Sequence, residues 1–169
     1  MTKDCAQPFD PIEDPRLRDM AQQHFGALKT MVEESETELA PMLLLETASG
    51  ELIPVVITED MKKDRVRSYL SLALMVRRLG AVRAVWGSEG WMVMAAPKGE
   101  MPRMPLSEHP ERVDCLIIVA FSADSVYGAS FPILHTDDGR RVTMPMDMPQ
   151  GTEWGGMITD FLQKALIRL

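Results

Sequence analysis

The sequence predicts an α+β protein in which three helices pack on a mainly antiparallel sheet. Segments with helical apolar spacing lie near both ends of the chain and around residue 70, and short β-rich runs lie between them. The connections between the later runs are too short for crossover helices, so neighbouring strands are expected to run antiparallel. The predicted order of elements is α-β-β-α-β-β-β-β-α.

The chain is expected to start with an N-terminal tail, residues 1–14, ahead of a single α+β domain, residues 15–169. The tail is rich in Pro, Asp and Gln. A first helix is predicted from Pro15 to about Glu36, because Asp14 suits the N-cap and Pro15 the first turn. The last turn of this helix is acidic and opposes the macrodipole, so we expect it to fray or to face positive charge.

A hairpin is predicted in residues 41–57, with its turn at Ala48-Ser49-Gly50. Pro54 favours an edge strand for its second half, because proline cannot donate a ladder hydrogen bond. A second helix is predicted from its N-cap Thr58 to Gly80, just beyond its end. The apolar residues expected to be buried on this helix are Val66, Tyr69, Leu70, Ala73, Met75, Val76 and Leu79.

Residues 81–96 admit two interpretations. Gly87 to Gly90 either forms a tight hairpin loop or interrupts one long strand with polar residues. A helix from about Glu153 to Arg168, capped by Thr152, is expected to close the chain. Between these segments the sequence predicts strands at Val113–Phe121, Ala129–Leu134 and Arg140–Met144, with a turn at Asp137-Asp138-Gly139.

Length and composition indicate a cytoplasmic globular protein. The 169 residues suit one domain, and 46% hydrophobic with 25% charged residues is ordinary for a globular chain. No apolar run approaches the ~20 residues of a membrane span, and the first residues lack the apolar core of a secretory signal. The two cysteines, Cys5 and Cys115, fit a reducing compartment.

The net charge of −7 is unevenly distributed and argues against nucleic acid as the main partner. Residues 1–58 carry 4 basic and 11 acidic groups, residues 59–79 carry 6 and 3, and residues 80–169 carry 8 and 11. A protein that binds duplex DNA normally has a dominant basic face. The cations that leave a minor route to nucleic acid are Lys62, Lys63, Arg65 and Arg67.

The polar pair Ser88-Glu89 is the first candidate site. Glu89 lies between Trp86 and Trp91 in a run of valines and methionines. If buried there, its carboxyl would have a raised pKa, which suits a general acid or base, with Ser88 and Trp91 as binding residues. The alternative is an exposed hairpin tip in which Glu89 is merely solvated.

The segment Ser107–Arg112 is the second candidate. His109 would act as a proton carrier, and Arg112 would hold an anion by bidentate hydrogen bonds, with Ser107 as a further binding residue. The alternative is structural: Ser107 caps a turn that Pro110 ends, and Arg112 pairs with a neighbouring glutamate.

No metal or cofactor is predicted. The three histidines are isolated, neither cysteine has a CxxC partner, and the Asp137-Asp138-Gly139 turn is too short for a calcium loop. The chain has no GxGxxG, GxxxxGK[ST], GxSxG or HExxH motif. Its 14 methionines suit irregular core packing, or an apolar surface that meets a second copy or a partner protein.

Two motifs stand ahead of a hydrophobic run: S-E-G-W-M at residues 88–92 and P-L-S-E-H-P-E-R at residues 105–112. Together they resemble a pattern, S-E-x-W-M followed by P-x-S-x-x-P-x-R, in a family of uncharacterised proteins of bacteria and their phages. The match covers about a quarter of the chain, and Gly90 stands where the family usually has Ala. The resemblance implies a continuous strand through the first motif, placed near the loop that bears the second, and it carries no activity with it.

Two functions follow from these observations. The first is a small cytoplasmic, non-enzymatic protein of bacterial or phage origin that binds another protein or itself as a homodimer. In one variant, acidic residues at the end of the first helix mimic a phosphate backbone. The alternative is an unrecognised hydrolase or transferase in which Glu89, His109 and Arg112 share a pocket.

Overall fold

The computed structural model describes residues 8–93, 104–105, 108–144 and 157–168. Within these ranges the protein has an α+β fold of six strands in one antiparallel sheet and four helices. The strands are β1 (Met42–Thr47), β2 (Leu52–Val56), β3 (Ala81–Val93), β4 (Arg112–Ser122), β5 (Val126–His135) and β6 (Arg141–Thr143). The helices are α1 (Pro15–Glu34), α2 (Glu59–Lys63), α3 (Arg65–Arg78) and α4 (Met157–Ala165).

The strands follow the spatial order β2-β1-β3-β4-β5-β6. Gly50 in the β1–β2 turn and Gly139 in the β5–β6 turn have φ values of +84° and +80°, conformations that glycine adopts without strain. The predicted hairpin and the predicted turn at residues 137–139 are therefore confirmed. Pro54 lies in β2, which is an edge strand as the sequence predicts.

Helices cover both faces of the sheet, because side chains alternate along each strand and both sets are apolar. One face packs against α1, and the other packs against α3 and α4. The core on the α1 face includes Leu17, Leu28, Val85, Leu116, Ile118 and Phe131. The core on the opposite face includes Leu43, Leu72, Val76, Val119, Phe121 and Leu162.

Helix α1 begins where the sequence predicts and ends slightly earlier. Asp14 is its N-cap, with Oδ1 accepting from the backbone N–H groups of Arg16 at 2.9 Å and Leu17 at 3.3 Å. The helix ends at Glu34 and not at Glu36. Before it, Phe9 is buried in the core, so the segment expected to form a tail contributes a large aromatic side chain to the fold.

The second predicted helix is two helices. It breaks at Asp64, whose side chain caps α3 by accepting from the backbone N–H of Arg67 at 3.2 Å. Thr58, the predicted N-cap, makes no side-chain cap bond. The carboxylate of an aspartate can accept a hydrogen bond from a nearby backbone N–H group. At Asp64 this side-chain bond competes with the backbone bonds that would continue the helix.

The predicted buried stripe of this helix was wrong in detail. Only Leu72 and Val76 of α3 are fully buried. Three of the residues expected to be buried are exposed, namely Val66, Leu70 and Leu79. The helix covers the sheet through a narrower face than the apolar spacing indicated.

The stretch with two interpretations is one continuous strand, β3, so the hairpin-tip alternative for Glu89 was wrong. The three later strands occur where the sequence predicts them, with ends shifted by up to three residues. Helix α4 is described from Met157, and its expected cap Thr152 lies outside the described residues.

Candidate functional site

Strand β3 extends beyond its neighbour β1. The last β1–β3 pair joins Met42 to Gly87, and β3 continues to Val93 with β4 as its described partner on one side only. We call residues Ser88–Val93 the β3 overhang. None of its six residues is fully buried, whereas five of the seven residues from Ala81 to Gly87 are.

The residues that precede Met42 do not continue β1 alongside β3. On its β1 side the overhang therefore has no described neighbouring strand. Pro41 still accepts a hydrogen bond from the backbone N–H of Ile57, at 2.8 Å. Residues 35–41, which we call the α1–β1 linker, cross the α1 face of the sheet before β1 begins. Two bonds hold the linker there: the Leu39 N–H donates to Glu89 Oε1 at 2.9 Å, and Arg141 Nη1 donates to the Thr37 carbonyl at 2.7 Å.

Glu89 and Arg141 form a buried ion pair in which Arg141 Nη2 donates to Glu89 Oε2. Their side chains are only 8% and 7% exposed. Both carboxylate oxygens of Glu89 thus accept hydrogen bonds from the chain itself. Buried charges are tolerated when they are paired and hydrogen-bonded in this way, so the pair acts as an anchor for the linker.

A groove of about 400 Å³ lies beside the overhang. Four carboxylates and two guanidinium groups line it, so its surface is acidic on balance. The lining residues are Glu36, Glu38, Pro41, Arg65, Glu89, Gly90, Trp91, Asp114, His135, Gly139 and Arg141.

Trp91 provides the aromatic surface of this groove. Its side chain is on the same face of β3 as Glu89 but is 43% exposed. The guanidinium carbon of Arg112 lies 5.8 Å from the centre of the Trp91 ring, a cation–π arrangement that holds the indole in place. The structure thus brings together two of the predicted binding residues, Trp91 and Arg112.

Asp114 and His135 form a second polar pair in the groove. His135 Nε2 lies 2.8 Å from Asp114 Oδ2, so the imidazole and the carboxylate are hydrogen-bonded. Both side chains are largely exposed. Unlike the oxygens of Glu89, these two groups are accessible to a bound molecule.

The other predicted site residues lie elsewhere. Ser88 points to the opposite face of the sheet, where its Oγ accepts a hydrogen bond from Trp86 Nε1 at 3.1 Å. His109 Nδ1 accepts from the backbone N–H of Glu111 at 3.1 Å. Neither His109 nor Arg112 is among the residues that line the groove. Ser107 lies outside the described residues.

Sequence reasoning missed Arg141 and His135 as parts of the site. Arg141 lies in a three-residue strand directly after a glycine turn, a context in which arginine is normally solvated. The signal that was present is the predicted turn at Asp137-Asp138-Gly139, because a hairpin around it pairs His135 with Arg141 and places both side chains on the α1 face of the sheet. Strand order was needed to use that signal.

A second ion cluster lies at the other end of the same sheet face. Arg83 Nε donates to Asp14 Oδ2 at 2.6 Å, Arg83 Nη1 donates to Glu46 Oε2 at 2.8 Å, and Arg16 Nε donates to Glu46 Oε1. Burial raises the pKa of Asp14, but the bonds from Arg83 and from two backbone N–H groups outweigh it, and the pKa lies below its ordinary value. This cluster joins the start of α1 to the centre of the sheet.

No protein-family model, no curated protein and no solved structure matches this chain. Within the described residues, no group of three or more His, Cys, Asp or Glu side chains is arranged to hold a metal ion. The described helices are too short or too polar to cross a membrane.

Proposed function

We propose that this chain is a small cytoplasmic protein of bacterial or phage origin that binds another protein through the groove beside the β3 overhang. The observation that carries the proposal is the exposure of Trp91, 43%, in a concave acidic surface. Large aromatic side chains supply much of the binding energy at protein interfaces, chiefly when they lie near the centre of a concave patch.

The rigidity of the groove supports this proposal. The buried Glu89–Arg141 pair fixes the wall formed by the α1–β1 linker, and Arg112 holds the Trp91 ring. A surface that is ordered before binding loses less conformational entropy when a partner arrives. The geometry therefore suits recognition of a preferred partner.

The site gives less support to the alternative of a hydrolase or transferase that uses Glu89, His109 and Arg112. A general acid or base must reach the proton that it transfers. Both oxygens of Glu89 are engaged by Arg141 and the Leu39 N–H, and its side chain is nearly inaccessible. We therefore assign Glu89 the role of a positioning residue in a binding surface.

The test is affinity capture with the purified chain as bait, followed by titration of each captured protein in purified form. We expect at least one partner to bind the natural chain and to lose about thirtyfold or more in affinity for Trp91→Ala, because truncation of an anchor residue costs about 2 kcal/mol or more. The matched control is Leu74→Ala, which removes another exposed apolar side chain, on α3. Equal loss for both variants, or none for either, would contradict the proposal.

A further inference from the structure

We infer that the partner bound at this site is an extended, basic segment of another protein, which adds to the β3 overhang as a further strand. This inference rests on the proposed function and specifies its binding mode. It depends on three features of the overhang: the direction of its backbone groups, the contrast with the other sheet edges, and the charge of the groove beside it.

The direction of the backbone groups follows from the hydrogen bonds of β1. In a strand, the N–H and the C=O of one residue both point toward the neighbouring strand on one side, and those of the next residue point toward the strand on the other side. The Thr47 N–H donates to the Glu51 carbonyl, so odd-numbered residues of β1 bond to β2 and even-numbered residues bond to β3. Since Met42 pairs with Gly87, odd-numbered residues of β3 point their backbone groups toward the β1 side.

The β4–β5 connection gives the same result independently. The Ser122 N–H donates to the Ser125 carbonyl, so even-numbered residues of β4 bond to β5 and odd-numbered residues bond to β3. Ser88 pairs with Ile117, so even-numbered residues of β3 face β4. Beyond Gly87, where β1 has ended, the outward-pointing backbone groups are those of Glu89, Trp91 and Val93.

The two outer edges of the sheet have features that hinder the addition of another strand, and the overhang lacks these features. At one edge, Pro54 of β2 has no N–H to offer. At the other edge, β6 has only three residues, and its Thr143 N–H donates to Glu33 Oε1 at 3.1 Å. The overhang S-E-G-W-M-V contains neither Pro nor Lys, the residues that commonly block strand addition.

The charge of the groove indicates which side chains an added strand should carry. Side chains of an added strand alternate between the two sheet faces, so every second one points to the α1 face. Apart from the Glu89–Arg141 pair, the groove is lined by the three carboxylates of Glu36, Glu38 and Asp114 against the one guanidinium of Arg65, so its charge is negative on balance. Lysine or arginine at those alternate positions would meet these carboxylates. A second copy of this chain is disfavoured as the occupant, because pairing of two overhangs would bring two acidic grooves together.

The first experiment measures binding of peptides selected from a random ten-residue library against the full chain. We expect the selected peptides to carry Lys or Arg at every second position. The double variant Glu36→Lys, Glu38→Lys should lower their affinity by tenfold or more. The control is the same change at two carboxylates that do not line the groove, Asp10→Lys and Asp19→Lys.

The second experiment tests strand addition directly. Trp91→Pro removes the outward N–H and the indole, whereas Trp91→Ala removes the indole alone. Peptide affinity should fall roughly tenfold further for Trp91→Pro than for Trp91→Ala, as expected for loss of one backbone hydrogen bond. In the natural chain, bound peptide should slow the hydrogen exchange of the Trp91 and Val93 amides, a readout that does not depend on how the proline variant folds.

The outcomes separate the two proposals. If a partner binding through Trp91 leaves these amides unprotected and the proline variant binds as well as the alanine variant, strand addition is overturned and the proposed function stands. If no partner depends on Trp91, the proposed function fails as well. If the chain alone dimerises and protects the same amides, the occupant is a second copy and the inference of a basic partner is wrong.

Discussion

Glu89 of β3 and Arg141 of β6 are in contact although two strands, β4 and β5, lie between theirs. Three strand spacings of about 4.8 Å would put the two backbones roughly 14 Å apart in a flat sheet. A contact between their side chains brings the far edge of the sheet toward β3, so the sheet curls around the α1–β1 linker. The groove beside the overhang exists because of this curl.

Loss of one member of this pair should destabilise the fold. Glu89→Gln and Arg141→Met are each expected to lower the free energy of unfolding by about 3 kcal/mol, because the remaining partner is left buried and uncompensated. The double variant should lose less than the sum of the two, as urea unfolding would show. For comparison, Lys63→Met breaks the exposed ion pair with Asp60 and should change stability by less than about 0.5 kcal/mol. Additive losses in the buried pair would refute the coupling.

Gly87 is required by the close approach of α1 to β3. A Cβ at this position would overlap Leu28 Cδ1 and lie 3.2 Å from His24 Nε2. Gly87→Ala should therefore lower the free energy of unfolding by about 1–3 kcal/mol. Gly26→Ala, at an open position of α1, should raise it by about 0.5–1 kcal/mol through helix propensity. Thermal unfolding of the two variants checks both signs, and a stabilised Gly87→Ala would show that α1 is less closely packed than described.

His24 should make stability depend on pH near neutrality. Burial lowers the pKa of His24 from its ordinary 6.5, although the hydrogen bond to the Met42 carbonyl opposes part of this effect. As pH falls below 6.5, His24 is therefore protonated in the unfolded chain at a higher pH than in the folded chain. The free energy of unfolding decreases over this range. The loss from this group between pH 7.5 and 5.5 is limited to about 1.4 kcal/mol, the value for an imidazole that stays neutral throughout in the folded chain.

His24→Gln should reduce that pH dependence, because glutamine keeps a donor for the Met42 carbonyl and does not titrate. Urea unfolding of the natural chain and the variant at three pH values provides the comparison. Parallel stability curves for the two proteins would assign the pH dependence to other groups.

Cys115 should be unreactive in the folded protein. Burial, with smaller contributions from the negative charges of Asp114 and Glu89, raises the pKa of its thiol to about 12. Since the thiolate is the reactive form, a disulfide reagent at pH 8 should not label Cys115 in a Cys5→Ser background until urea unfolds the chain. Rapid labelling without urea would indicate local opening of β4.

Local patterns in the sequence were sufficient for most of the fold. The cap at Asp14, the turns at Gly50 and Gly139, and the edge position of Pro54 each depend on neighbours within a few residues. Such features are set by backbone conformation and by available hydrogen-bond donors, both of which can be read from short segments. The α+β class followed from these elements and from the short connections between them.

The candidate site was only partly predictable for a different reason. Glu89 and Trp91 were identified from their apolar surroundings, but the sequence left open whether they lie in a strand or a hairpin tip. Arg141 carried no local mark of burial, because its partner is 52 residues away. Whether a charge is buried depends on what lies across the sheet from it.

By itself, the sequence determined the fold class, the main elements and the residue types available for binding at β3. Only the tertiary structure decided that Glu89 is an anchor, that Trp91 is exposed and that six residues of β3 extend past β1. These outcomes depend on strand order and register, and long-range pairing fixes both by burying apolar side chains and matching charges across the sheet.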